Sequence, residues 1–290
     1  MKTLTLIDSS AIVYRFFHAL PPLTAPDNQP IQAIYGLSNI LFKIIKEQKP
    51  DYIAAALDRP EITFRKEEFK DYKAHRATPP NELITQLEKI PEVFESFNIK
   101  TFSKAGFEAD DIIGTLAEKF GREPNLKVII LSGDLDLLQL VRNNKIVCQI
   151  IRNGLNNIDT YNEEKVIERY RLPPKKLPEY KALIGDSSDN IPGIKGIGPK
   201  AATELLKDFG TLEEIFENLV IIKDKVAEKL KNQKENAMLY LKLTTIKTDV
   251  PIETTDLKTL DSNRLDEREL RIFFEKMGFI SLINRMQKNE

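Results

Sequence analysis

Short apolar runs alternate with stretches of helical spacing through the first half of the chain. Residues 3–7 form a β-rich run that stops at Asp8, and residues 9–20 follow with helical spacing, Ser9 and Ser10 placed to cap them. Pro21, Pro22, Pro26 and Pro30 mark a rigid loop, after which Ile34, Leu37, Ile40, Leu41, Ile44 and Ile45 share one face of a long helix. Residues 52–57 run apolar into Asp58. A helix over 81–97 and a short run over 99–102 lead to another helix, marked by Leu116, Ala117 and Phe120. Residues 127–131 read as a strand before a helical 137–141, 146–151 as the strand that closes the sheet, and 163–171 as the helix after it. Strands of buried type alternating with helices predict an α/β fold with a mostly parallel sheet, where ligands gather at the carboxyl ends of the strands.

The alternation breaks twice. Across residues 61–80, Arg65, Lys66, Lys70, Lys73, His75 and Arg76 interleave with Phe64, Phe69 and Tyr72. Such a segment has little apolar face to bury, so it is either a solvated surface helix or a basic and aromatic clamp beside an active site. The second break, Leu172-Pro173-Pro174-Lys175-Lys176, reads as a hinge, beyond which the strand signal fades and helices take over, with caps and breaks at Gly185, Gly210 and Thr211. Two domains are expected: an α/β core over 1–175 and a smaller helical domain over 176–290.

Composition changes this picture little. With 290 residues and 41% hydrophobic content the chain can bury one large core or two modest ones, and 43 basic against 44 acidic residues name no partner. The single cysteine, Cys148, lies in an apolar run, which rules out an internal disulfide and suits a buried small hydrophobe in a reducing compartment. No apolar stretch approaches the roughly 18 residues of a spanning helix, so a soluble, cytoplasmic protein without membrane contact is expected.

The chemistry rests on carboxylates. Glu108, Asp110 and Asp111 open the helix that begins near residue 109, and Asp8, Asp58, Asp134, Asp136, Asp186 and Asp189 also stand at element ends. Acids in a first turn are favoured by the helix dipole alone, but nine at such places point to one cleft. Two like charges 4 Å apart cost about 4 kcal/mol at a surface-like dielectric, so the cluster calls for divalent cations. With oxygen donors and no histidine or cysteine nearby, two hard ions, Mg²⁺ or Mn²⁺, fit better than zinc, and a two-ion site of that kind serves phosphodiester hydrolysis without a separate base. His18 and His75 are the only histidines, neither with an evident Ser and Asp partner, which argues against serine hydrolase chemistry; His18 reads as a packing residue.

A second feature is the stretch from Ile191 to Lys200, with Gly193, Gly196 and Gly198 among Lys195 and Lys200. It lacks the Gly-Lys-Ser/Thr of a phosphate loop and does not follow a strand, which removes the nucleotide-loop readings. A tight turn feeding a helix at Pro199 fits, either as a plain helix connection or as backbone N–H groups beside two lysines that hold a phosphate without reading sequence.

Taken together, these motifs resemble the structure-specific 5′ nuclease family: the 5′-to-3′ exonuclease domain of bacterial family A DNA polymerases, and flap endonucleases. The resemblance is carried by Leu6-Ile7-Asp8 with Tyr14-Arg15, Phe64-Arg65, Tyr72-Lys73-Ala74-His75-Arg76, Phe107-Glu108-Ala109-Asp110-Asp111, Ser132-Gly133-Asp134-Leu135-Asp136 and the run from Gly185 to Gly198. It implies a PIN-like core with a helical arch, a helix-three-turn-helix module in the helical domain, and Mg²⁺-dependent hydrolysis of branched, nicked or 5′-ended DNA, including RNA primers on DNA. It also implies a monomer working with a separate or fused DNA polymerase. By the same resemblance all nine acids are metal ligands, Asp8, Asp58, Glu108 and Asp110 nearer one ion and Asp134, Asp136, Asp186 and Asp189 nearer the other. Lys73 and Arg76 stabilise the scissile phosphate, Arg15, Arg65 and Tyr72 add DNA contacts, and the turn with Gly193, Lys195, Gly196, Gly198 and Lys200 holds duplex backbone with K⁺ on its carbonyls. Ser9 and Leu135 depart from the family's usual glycine and lysine without removing a ligand. A non-catalytic DNA-binding protein would gain nothing from the acids, and a PIN-type ribonuclease would not need the helical domain.

Overall fold

The computed structural model describes residues 1–152, 157–253 and 256–288. Six strands form one sheet: β1 (Lys2–Asp8), β2 (Tyr52–Ala56), β3 (Lys100–Phe102), β4 (Leu126–Ser132), β5 (Ile146–Ile151) and β6 (Ile158–Tyr161), in the order β3-β2-β1-β4-β5-β6. The first five run parallel, and their near-continuous apolar sequence is what burial on both faces requires. The sheet does not close at residues 146–151, because β6 pairs antiparallel on that edge.

Helices fill both faces. Asp8, the last residue of β1, is itself the cap of α1 (Ser9–Ala19), accepting from Ala11 N, while Ser9 is buried and donates to the Ala56 carbonyl at 2.5 Å; the cap is thus one residue earlier than the serines suggest. His18 is exposed, edge-on to Phe17, and is not a packing residue. α2 (Gln32–Lys43) buries the predicted Ile34, Leu37, Ile40 and Leu41. Residues 61–80 hold the five-residue α3 (Phe64–Glu68) and turns through residue 75. The helix expected over 81–97 breaks at Lys89 into α4 (Asn81–Glu88) and α5 (Ile90–Ser96), with Pro91 in the first turn of the second. α6 (Ala109–Gly121) covers the opposite face with Ile112, Ile113, Leu116 and Phe120, and α7 (Glu163–Tyr170) follows β6.

The helical unit consists of α8 (Leu177–Ile184), α9 (Pro199–Phe209), α10 (Leu212–Glu217), α11 (Asp224–Leu230) and α12 (Lys234–Thr244) around Leu183, Ile194, Leu206, Ile215 and Leu243. Ile246, Val250 and Leu260 lie against the α6 face, and α13 (Glu267–Met277) with α14 (Ile280–Gln287) returns to the other face, where Phe274 and Phe279 meet Phe42, Phe94 and Phe97 in one core. Each such ring contributes roughly 1.5–3 kcal/mol by burial. Among the described residues no helix is long and apolar enough to cross a membrane.

Candidate active site

Parallel register brings the acids to one edge. Asp8 ends β1 opposite Ala56, the last residue of β2, so Asp58 stands two residues beyond the end of that strand, and Ile7 opposite Leu131 sets Asp134 and Asp136 just beyond the end of β4. The start of α6 meets this edge, where Ala109 N donates to Asp58 Oδ1 at 2.7 Å. Asp8 is buried and accepts from Ser132 Oγ at 2.5 Å; burial, then the nearby Asp58 and Asp134, still push its carboxyl up to about 7. Burial together with Asp8, Asp134 and Glu108 raises Asp110 well above the ordinary carboxylate range. Asp136 is pushed up to about 7 by burial and by Asp134, with Asp186 adding to it. Asp134 thus faces both groups of acids, those of β1, β2 and α6 and those near the helical unit.

Basic side chains reach into the cluster from its rim. Lys73 donates to Glu108 Oε1 at 2.7 Å and lies 4.0 Å from Asp189, and Arg76 donates to Asp189 at 2.8 Å. The Tyr72 hydroxyl donates to Glu108 Oε2 at 3.0 Å and Asp189 Oδ2 at 2.9 Å. Tyr72 is 3% exposed, so it braces two acids and offers no open face for a base. Burial works to raise Glu108, but Lys73, Arg65 and Tyr72 outweigh it and hold the carboxyl below its usual range. From α8, Lys181 Nζ donates to Asp136 Oδ1 and, at 2.6 Å, to Asp186 Oδ2; burial notwithstanding, Asp186 is held low by that ammonium and by Ser188.

Three residues expected as ligands or contacts, Asp111, Arg65 and Arg15, have other partners. Asp111 has no exposed surface: Arg65 grips it bidentately at 2.7 and 2.8 Å, and the N–H groups of Glu108 and Lys247 donate to it. Arg65, 2% exposed, also donates to the carbonyls of Leu243 and Thr245 and cannot reach a phosphate. Asp111 lies one residue, and so about 100° of helix, from Asp110 and turns into the core. Arg15 donates to the Gly133 and Arg152 carbonyls, bracing the loop that carries Asp134. Among the described residues no three carboxylates, imidazoles or thiols are gathered closely enough to hold an ion as they stand, several being drawn onto Lys73, Arg76 and Lys181. In kind the donors remain oxygen only, which suits hard divalent cations.

Beside this edge lies the glycine turn. Gly193 has φ +66°, and a Cβ there would meet Gly185 N at 2.2 Å, so the turn packs backbone against backbone. α9 starts at Pro199 with no side-chain cap, and Lys195, Gly196, Gly198 and Lys200 are exposed around its free N–H groups. The Gly196 carbonyl accepts from Lys229 Nζ at 2.8 Å, which takes one of the carbonyls expected to hold K⁺.

This fold and this edge can be compared with known proteins. Residues 3–171 match the 5′-3′ exonuclease N-terminal resolvase-like domain, and residues 172–268 the 5′-3′ exonuclease C-terminal SAM fold. The chain belongs to the 5′-3′ exonuclease family. A 5′-3′ exonuclease of Aquifex aeolicus is 38% identical over 288 residues, covering 99% of this chain and 96% of the relative. A DNA polymerase I of Caldicellulosiruptor bescii is 40% identical over 291 residues, covering 99% of this chain but 34% of the polymerase. The chain thus spans about a third of the length of the polymerase relatives it matches. The T5 D15 flap endonuclease superposes with a TM-score of 0.70 at 22% identity, over 85% of this chain and 90% of that one. The Rad2 catalytic core gives 0.59 at 19%, over 95% and 87%. At those identities the likeness is one of fold.

Within the 5′-3′ exonuclease frame, sequence reasoning missed Ser132 and Lys181. Ser132 stood inside the quoted Ser-Gly-Asp motif; Lys181 had only its place one helical turn before Asp186 as a signal.

Proposed function

We propose that the chain is a structure-specific 5′ nuclease, a 5′-to-3′ exonuclease and flap endonuclease that hydrolyses DNA near 5′ ends, flaps and nicks, including RNA primers, in primer removal and repair. The observation that carries this reading is the meeting of Asp8, Asp58, Asp110 and Asp134 from three strand ends and one helix start, close enough that their neighbours' charge helps raise Asp8 and Asp110, beside an uncapped helix flanked by Lys195 and Lys200. Asp8, Asp58, Glu108 and Asp110 would hold one Mg²⁺ or Mn²⁺, and Asp134, Asp136, Asp186 and Asp189 a second. Bound there, the two ions supply an activated water and neutralise charge on the phosphate and leaving oxygen. Asp111 is left out of the ligand set.

The chain's own residues do the rest. Lys73 and Arg76 turn from Glu108 and Asp189 toward the scissile phosphate, while Tyr72 keeps those two acids in place. The Gly193–Gly198 turn and the first N–H groups of α9 hold duplex backbone, with Lys195 and Lys200 adding charge and no base reading. K⁺ at the turn is not part of this reading, because Lys229 already sits on Gly196. The protein acts as a monomer in the cytoplasm, alone or beside a DNA polymerase.

The test is cleavage of a 5′-flap DNA labelled at either end, with Mg²⁺ and with chelator, beside a blunt duplex and a single strand of the same sequence. Metal-dependent cutting near the branch is expected. Binding without cutting would leave the acids without a role and overturn the nuclease reading.

A further inference from the structure

Lys181 joins carboxylates of both units, as Lys73 does at the other end of the cluster. Asp136 follows β4 in the α/β core, Asp186 follows α8 in the helical unit, and the Lys181 ammonium lies between them, donating to both. Its position is fixed by backbone. Gly185 N donates to the Lys181 carbonyl at 2.8 Å to close α8, and Gly185 with φ +85° turns the chain so that Asp186 folds back beside the lysine. The side chain is mostly covered, 19% exposed, and so is not a solvated surface lysine. Asp134 and Asp136 repel each other within the same group. A single positive charge between two acids of a crowded set does part of what a divalent ion does, with the wrong valence and too few acceptors.

We propose that Lys181 is a built-in counter-cation at the second ion position: it bridges Asp136 and Asp186, and a divalent ion binding there must displace it. This rests on the two-ion reading above. The displacement exchanges one set of charge-assisted contacts for another and frees an ammonium at the seam of the two units. Loading of the second ion is thereby coupled to the contact between core and helical unit. Lys181 acts as a positioning residue through those carboxylates and does not touch the reacting atoms.

Two measurements test it. Mn²⁺ binding, counted by electron paramagnetic resonance, is compared for the wild type, Lys181→Met and Lys181→Arg, alongside melting in chelator. Removing the competitor in Lys181→Met should tighten the weaker Mn²⁺ site about tenfold, the equivalent of one charge-assisted hydrogen bond, and lower the melting temperature in chelator by about 2–4 °C. Lys181→Arg should stay near wild type in both. Equal or weaker Mn²⁺ binding by Lys181→Met overturns the proposal, and so does tightening with no loss of melting temperature in chelator, since that describes a distant charge and no bridge. Should Lys181→Met fail to fold, reductive methylation of the wild type read by peptide mass spectrometry decides: Lys181 should react several-fold faster in saturating Mg²⁺ than in chelator, and unchanged reactivity overturns the proposal. A wild type that binds no Mn²⁺ would instead sink the two-ion reading itself.

Discussion

Asp110 and Asp111 are neighbours on α6 that look into two different regions. Asp110 faces the strand-end cleft, where Asp8, Asp134 and Glu108 crowd it and raise its protonation. Asp111 faces the dry junction beneath, where Arg65 grips it bidentately and the strap at Leu243, Thr245 and Lys247 closes over the pair. In the junction every charge has a fixed partner of opposite sign inside the chain, so the arrangement is complete and serves to hold elements together. In the cleft, like charges outnumber the lysines and arginines at the rim, which leaves a standing demand for cations from outside. Buried carboxylates are therefore informative only through what faces them.

The comparison can be broken most sharply at Asp110 and Asp134. Asp110→Asn or Asp134→Asn should lower flap cleavage by about 10²-fold or more while leaving melting in chelator unchanged or higher, because a repulsive charge has gone; wild-type cutting rates would show that the cleft is not where chemistry occurs. At the junction the pattern should invert. Arg65→Met or Asp111→Asn, by removing one partner of a buried pair, should cost about 3–5 kcal/mol in denaturant unfolding. The Mg²⁺-induced rise in melting temperature should survive in Asp111→Asn; its disappearance would restore Asp111 to the ligand set.

Proton linkage separates the two regions next. Burial and neighbouring carboxylates push Asp8 and Asp136 up to about 7 from an ordinary value of 3.8. The folded state holds these protons more tightly than the unfolded chain, so their contribution to stability is fully present below about pH 4 and is lost as pH rises through 7. Melting temperature in chelator should accordingly fall between pH 5.5 and 8, and saturating Mg²⁺ should raise it more at pH 8 than at pH 5.5. A Mg²⁺ increment independent of pH would mean that ions do not bind at these acids. The smallest effect belongs to the glycine turn, which carries charge outside both regions. If about five phosphates are contacted, log affinity for duplex falls with log salt at a slope near −4 to −5, and Lys195→Ala or Lys200→Ala should each flatten it by about 0.9 without changing stability.

The strand-helix alternation, the edge at which Asp8, Asp58 and Asp134 gather, and the exposed turn at residues 193–198 could all be read from sequence, because period and strand polarity decide them. Asp111 could not be told from Asp110, since both suit a helix start and only the packed neighbour separates them. Lys181 is one lysine among many until α8 is placed against Asp136. The strand β6 is four residues with a single buried side chain, too weak a pattern to register. Amphipathic spacing in α13 and α14 announces a buried face, but not which core receives it.

That return of α13 and α14 sets the order in which the chain can mature during synthesis. The six strands of the described residues lie within the first 161, yet the core around Phe42, Phe94 and Phe97 is complete only with Phe274 and Phe279. A nascent chain therefore carries a finished sheet pairing with one greasy side open while more than a hundred further residues emerge and the helical unit folds in between. An aromatic face left open in this way favours association until α13 and α14 cover it.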